Sequence, residues 1–162
     1  MTVQTGTSAR LGEDDIVPSI AAVMEGEGDP IANAANIAAI LFEGLADINW
    51  AGFYFLRGGQ LVLGPFQGRV ACTRIDMGKG VCGTAARQRA TIVVPDVHQF
   101  EGHIACDAAS RSEIVVPIMR AGQVLGVIDI DSPHVARFTP AHAKLIEQVA
   151  SLYVRACGDA TP

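Results

Sequence analysis

The residues able to do chemistry in this chain are four cysteines, a histidine and a small set of acids. Cys106 and His103 share the stretch FEGHIACDAASRSEIVVPI, Phe100 to Ile118, which runs into an apolar segment with Glu113 at its start. Further on, GVIDIDS alternates, so Asp129 and Asp131 face one side of a strand while Ile128 and Ile130 face the other. Glu113 begins the neighbouring strand of the same hairpin and can reach that face. Three carboxylates held close together repel one another, which raises the pKa of at least one. Such a cluster offers an ionised pair for an ammonium group and a protonated member that can give a proton to a substrate oxygen. An amino-acid-like ligand has that ammonium. The plainer alternative is the solvent-facing edge of an ordinary antiparallel hairpin.

The thiols also admit two readings. Cys106 lies in a loop with His103, where a scaffold commonly presents reactive groups, and is a candidate nucleophile. It could equally be a small buried hydrophobe, and the adjacent Asp107 disfavours a thiolate. Cys72 and Cys82 flank GKG ahead of a short alanine-rich helix, whose N–H groups and dipole can stabilise a thiolate or another anion. Either could attack an oxidised Cys106. Cys157 falls in the last turn of the final helix and reads as packing. No metal is expected, because Cys72, Cys82, His103 and Cys106 lack the paired C-x-x-C spacing of a zinc site. His98, His134 and His142 read as loop or surface residues.

Positioning these groups requires a packed domain, and the composition supplies one. The chain has 162 residues, 49% apolar and 18% charged, which suits a single globular domain. A net charge of -5 disfavours nucleic acid as a partner. No run approaches the roughly 18 apolar residues of a membrane span, and Glu13, Asp14 and Asp15 stand where a signal peptide needs an apolar core, so a cytoplasmic protein is expected. Any disulfide there should be transient and chemical.

Ile16, Ile20 and Val23 mark a short first helix. Asp29 and Pro30 then cap a second one, with Ile31, Ala34, Ile37, Leu41 and Leu45 as its buried stripe and an end near Gly44. WAGFYFL and QLVLGPF, joined by RGG, form a hairpin. Gln67 to Thr73 is expected as a third strand, followed by the GKGVCGTAARQRA helix and the strand TIVV. SEIVVPIM and VLGVIDIDS make a second hairpin through RAGQ, and Thr139 with Pro140 caps a long last helix. The expected order is ααβββαβββα. Hairpin connections demand an antiparallel sheet, with the amphipathic helices on one face and the central connection on the other.

NWAGFYFL, GPFQG, GKGVCGTAA, VPDVHQFEGHIACDAASRSEIVVPI and GVIDIDS, in this order over about residues 30 to 150, resemble the stand-alone GAF-domain enzymes called free methionine-(R)-sulfoxide reductases. The resemblance implies an α+β GAF fold, a six-stranded antiparallel sheet with helices on both faces. One domain over residues 14–158 is expected, behind residues 1–13, which are polar and small without a periodic pattern and read as a mobile N-terminal tail. The resemblance also implies that Cys106 attacks the sulfoxide sulfur, releasing methionine and leaving a sulfenic acid. Cys72 would then form the disulfide, with Cys82 in an alternate or supporting role, and thioredoxin would reduce it. Glu113, Asp129 and Asp131 match the family's substrate-binding acids, and Trp50 and Tyr54 match aromatics that wall its pocket. No cofactor is implied, and a homodimer is. For the substrate carboxylate, backbone amides near Gly80 to Cys82 are the first candidates and Arg111 the weaker one. The competing classes are a ligand-sensing GAF module and a redox sensor that uses the Cys72–Cys106 pair as a switch, both without turnover.

Overall fold

The computed structural model describes residues 11–104 and 106–162. Residues 1–10 of the expected tail lie outside the described residues. Glu13 opens a 3-10 turn, Glu13–Asp15, and its carboxylate sits 2.9 Å from Arg137 Nη2 and 3.4 Å from His142 Nε2.

The elements follow the expected order: α1 Ile16–Val23, α2 Pro30–Gly44, β1 Trp50–Arg57, β2 Gln60–Gly68, β3 Arg74–Asp76, α3 Gly80–Gln88, β4 Ile92–Val94, β5 Ser112–Arg120, β6 Gln123–Ser132 and α4 Pro140–Cys157. The strands form one antiparallel sheet in the order β3-β2-β1-β6-β5-β4. Local chemistry sets the boundaries. The Asp29 carboxylate accepts from the N–H groups of Ile31 and Ala32 at 2.9 and 2.8 Å, and Pro30 supplies the first helical position. Thr139 starts α4 in a reciprocal cap with His142, so His142 belongs to a helix terminus rather than a bare surface. The RGG turn closes with Gly58 and Gly59 both at positive φ, as a two-residue hairpin requires.

Alternation along the central strands sorts the molecule into two sides. Ala51, Phe53 and Phe55 of β1, Ile114, Val116 and Ile118 of β5, and Ile128 and Ile130 of β6 pack under α1, α2 and α4. Trp50 and Tyr54, Val115 and Val127 face the opposite way, toward Val81, Cys82, Ala85 and Ala86 of α3. A one-residue slip of β6 would drive Asp129 and Asp131 into the three-helix core, so the apolar pattern that fixes the register also fixes the acids.

Two expectations are corrected. The third strand is Arg74–Asp76, pairing with Gln60 to Val62, and residues 69–73 leave the ladder as a loop that carries Cys72 toward Cys106. Ile31 of the expected buried stripe is 44% exposed, while Ala38 is buried.

Candidate active site

Two adjacent strands deliver the acids, and a third lies against them. Glu113 on β5 lies directly opposite Asp131 on β6, and Asp131 in turn lies opposite Trp50 on β1. Asp129, two residues back on β6, faces Gly52. Glu113 and Asp129 are each only 6% exposed. Burial raises the carboxyls of all three well above their ordinary range, and neighbouring charge adds to it: Asp131 on Glu113, Glu113 on Asp129, and Asp129 with Asp107 on Asp131. The solvent-edge reading is excluded, since these side chains line a pocket with Trp50, Tyr54, Cys82 and Cys106.

Gly52 makes the wall possible. Trp50 and Tyr54 flank it on the same face and stack at 5.9 Å, and Trp50 also stacks on Phe66 at 5.3 Å. A Cβ on Gly52 would come within 2.4 Å of Phe66 Cβ and 2.6 Å of the Trp50 ring. Gly52→Ala is therefore expected to displace Trp50 and to cost about 1–3 kcal/mol of stability, the usual range for overpacking. Urea unfolding would show the loss, and loss of substrate affinity should accompany it. Outside the pocket, Trp50 Nε1 donates to the Arg69 carbonyl at 3.1 Å. The Tyr54 hydroxyl donates to the Cys72 carbonyl at 2.9 Å, and burial followed by the charge of Asp129 keeps that phenol protonated. The two aromatics thus tie the Cys72 loop to the sheet.

Cys72 and Cys106 form a disulfide, with Cα atoms 5.6 Å apart across 34 residues of chain. The loop bearing Cys106 is anchored beside it. Asn49 Nδ2 donates to Asp107 Oδ2 at 3.1 Å and to Ser110 Oγ at 3.2 Å, while Asp107 Oδ1 accepts from the Ala109 N–H at 2.9 Å. Asn49 escaped sequence reading because an asparagine before a strand carries no distinguishing pattern.

Cys82 does not fit the expectation of a helix-stabilised thiolate. It is the third residue of α3, but its Sγ points to Glu113 Oε1 at 3.9 Å. Burial, then the charges of Asp129 and Glu113, push its thiol well above the ordinary value. Two acids beside a buried sulfur outweigh a helix terminus worth about 0.3–1 kcal/mol. His103 Nε2 lies 3.6 Å from Glu113 Oε2, and burial lowers its pKa. Arg111 is absent from the pocket lining and pairs instead with Asp96 at 3.7 Å. The start of α3 does line the pocket, with Lys79, Gly80, Val81 and Cys82 in place, and its N-cap residue Lys79 makes no side-chain cap. Lys79 was legible only as the middle of GKG.

Comparison with known proteins gives concordant matches. Residues 32–156 match the family model described as GAF domain. The chain is 52% identical over 130 residues to the free methionine-R-sulfoxide reductase of Escherichia coli, covering 80% of this chain and 79% of that protein. It is 43% identical over 162 residues to the free methionine-R-sulfoxide reductase of Saccharomyces cerevisiae, covering 93% and 90%. The fold matches the X-ray structure of free methionine-R-sulfoxide reductase from Neisseria meningitidis in complex with its substrate, with TM-score 0.86, 43% identity, and coverage of 90% of this chain and 87% of that one.

Proposed function

The chain belongs to the GAF-domain free methionine-R-sulfoxide reductases and is an oxidoreductase that reduces free methionine-(R)-sulfoxide, and we propose that it does so by thiol chemistry with Cys106 as nucleophile. The observation that carries this reading is the Cys72–Cys106 disulfide, which stands on a pocket lined by three buried carboxyl groups.

In the reduced enzyme the Cys106 sulfur attacks the sulfoxide sulfur. A sulfoxide is a poor electrophile until its oxygen is protonated, and a carboxyl with a raised pKa supplies that proton near neutral pH. Methionine departs, and the oxygen with its proton passes to Cys106 as a sulfenic acid, the thiol giving up the two electrons that reduce the sulfoxide. Cys72 then attacks the sulfenic sulfur, water leaves, and the disulfide forms. Cys82 supports the acids from its buried position and is the alternate resolving thiol. A dithiol reductant returns both cysteines to the thiol state. We assign thioredoxin to that step, and Val70, 87% exposed two residues before Cys72, is consistent with access from outside.

The substrate ammonium is placed among Glu113, Asp129 and Asp131, with Trp50 and Tyr54 as the apolar wall for its thioether arm. Its carboxylate is placed at the start of α3, against the N–H groups of Gly80 to Cys82 and the positive end of the helix dipole. A peptide bond at the ammonium would remove its charge and add bulk, so peptidyl methionine sulfoxide is excluded. Residues 14–158 are read as one GAF domain, a homodimer and a cytoplasmic location being the accompanying assignments. Among the described residues no helix is long and apolar enough to cross a membrane.

The test is methionine release with dithiothreitol from free L-methionine-(R)-sulfoxide, beside the S epimer and the N-acetylated R form. Turnover of the free R form alone is expected. Absence of turnover with every thiol shown to be reduced would reject the catalytic reading in favour of a sensor.

A further inference from the structure

We infer that Cys82, Glu113 and Asp129 form a binding site for a divalent transition metal ion of the zinc class. Zinc was not expected from the sequence because no C-x-x-C pair is present, yet a helix and two strands bring this donor set together. One ligand atom from each residue lies within 4.8 Å of the others, and all three residues are buried. Cys82 Sγ and Glu113 Oε1 are 3.9 Å apart. Tetrahedral zinc, with bonds of about 2.0–2.3 Å, sets neighbouring donors roughly 3.3–3.5 Å apart, so side-chain movement of about 1.5 Å at most completes the geometry.

A second observation points to a cation at this place. Asp129 Oδ1 is buried and has no hydrogen-bond partner among the described residues, in a residue only 6% exposed. A buried carboxyl oxygen without a partner is costly, and a cation bonded to it would relieve that cost. His103 Nε2, 3.6 Å from Glu113 Oε2, can add an imidazole as the fourth donor. Thiolate, imidazole and two carboxylates suit zinc or cobalt, whereas magnesium and calcium prefer oxygen alone. Binding is an exchange without oxidation: the Cys82 S–H proton, and the proton of each carboxyl that holds one, pass to solvent as the metal bonds form. Because the same acids are assigned to the substrate ammonium, metal and substrate should exclude each other; that consequence rests on the proposed function, while the site itself does not.

The experiment titrates zinc chloride into the full chain against a chromophoric chelator, with the Cys72–Cys106 disulfide intact so that neither sulfur can serve as a ligand. One zinc per chain is expected. Cys82→Ser and Asp129→Asn should each weaken it at least about tenfold, since even residues that only support a ligand cost about 10–100-fold when replaced. Cys157→Ser should leave it unchanged. Cobalt chloride should give a sulfur-to-cobalt charge-transfer band that is missing from Cys82→Ser. No zinc retained, or unchanged affinity in the variants, or a cobalt complex without the sulfur band, would overturn the site. Should Cys82→Ser fail to fold by circular dichroism, Glu113→Gln and Asp129→Asn carry the comparison, and undiminished affinity in both would equally overturn it. No step uses methionine sulfoxide, so failure here leaves the catalytic reading standing, and the reverse.

Discussion

Cys106→Ser is expected to release no methionine even in a single turnover, a loss of at least about 1000-fold, whereas Cys72→Ser should release one methionine per chain and then stall. The asymmetry follows from the proposed order of events. Removing the attacking sulfur removes the first bond-making step, and loss of a nucleophile is among the largest single effects that mutant kinetics record. Removing the resolving sulfur leaves that step intact and strands Cys106 as a sulfenic acid. Rapid quench with stoichiometric enzyme, together with a sulfenic-acid trap, reads both quantities. A full single-turnover yield from Cys106→Ser would sink its assignment. Continued turnover by Cys72→Ser, with thioredoxin as the sole reductant, would shift the resolving role to Cys82, although that sulfur is buried against Glu113 in the present geometry.

The parts of this site that could be read from sequence are those governed by alternation. Asp129, Asp131, Trp50 and Tyr54 each sit on a strand with an unbroken two-residue pattern, and the three-helix core on the other face leaves their parity no freedom. The cap at Asp29 was legible for a similar reason, as its chemistry is complete within three residues. What sequence could not show depends on loops meeting across space. The stretch Gln67 to Thr73 has strand-like composition, but the chain must leave the sheet there for Cys72 to reach Cys106, and the ladder resumes only at Arg74. Cys82 could not be read correctly because its position in α3 was visible while the carboxylates facing it were not. The pairing of His103 with Glu113 and the anchoring of the Cys106 loop by Asn49 are contacts between distant segments, and no local signal marks them.

Asp129→Asn is expected to lower kcat/KM for free methionine-(R)-sulfoxide about 100-fold and, at the same time, to make the protein more stable at neutral pH. The first effect reflects loss of one partner in a buried charge interaction with the substrate ammonium, a change that commonly costs about 2–5 kcal/mol. The second follows from linkage. The carboxyls of Glu113, Asp129 and Asp131 are raised in the folded state, by burial first and by each other second. As pH rises above the unfolded-state carboxyl value of about 4, the unfolded chain gives up protons that the folded chain retains, so folding is progressively disfavoured until the folded groups also ionise. The contribution of these acids is therefore most favourable below about pH 4 and is lost on the way to neutrality. An asparagine in place of Asp129 removes one titrating member and one source of repulsion, and its amide can donate to Glu113. Urea unfolding of both proteins in the same disulfide state should show the variant ahead at pH 7 and the gap closing toward pH 4. If the variant keeps full kcat/KM, Asp129 does not hold the ammonium; if its stability advantage is absent at pH 7 or grows toward acid, the cluster is not a site where stability is sacrificed for substrate binding.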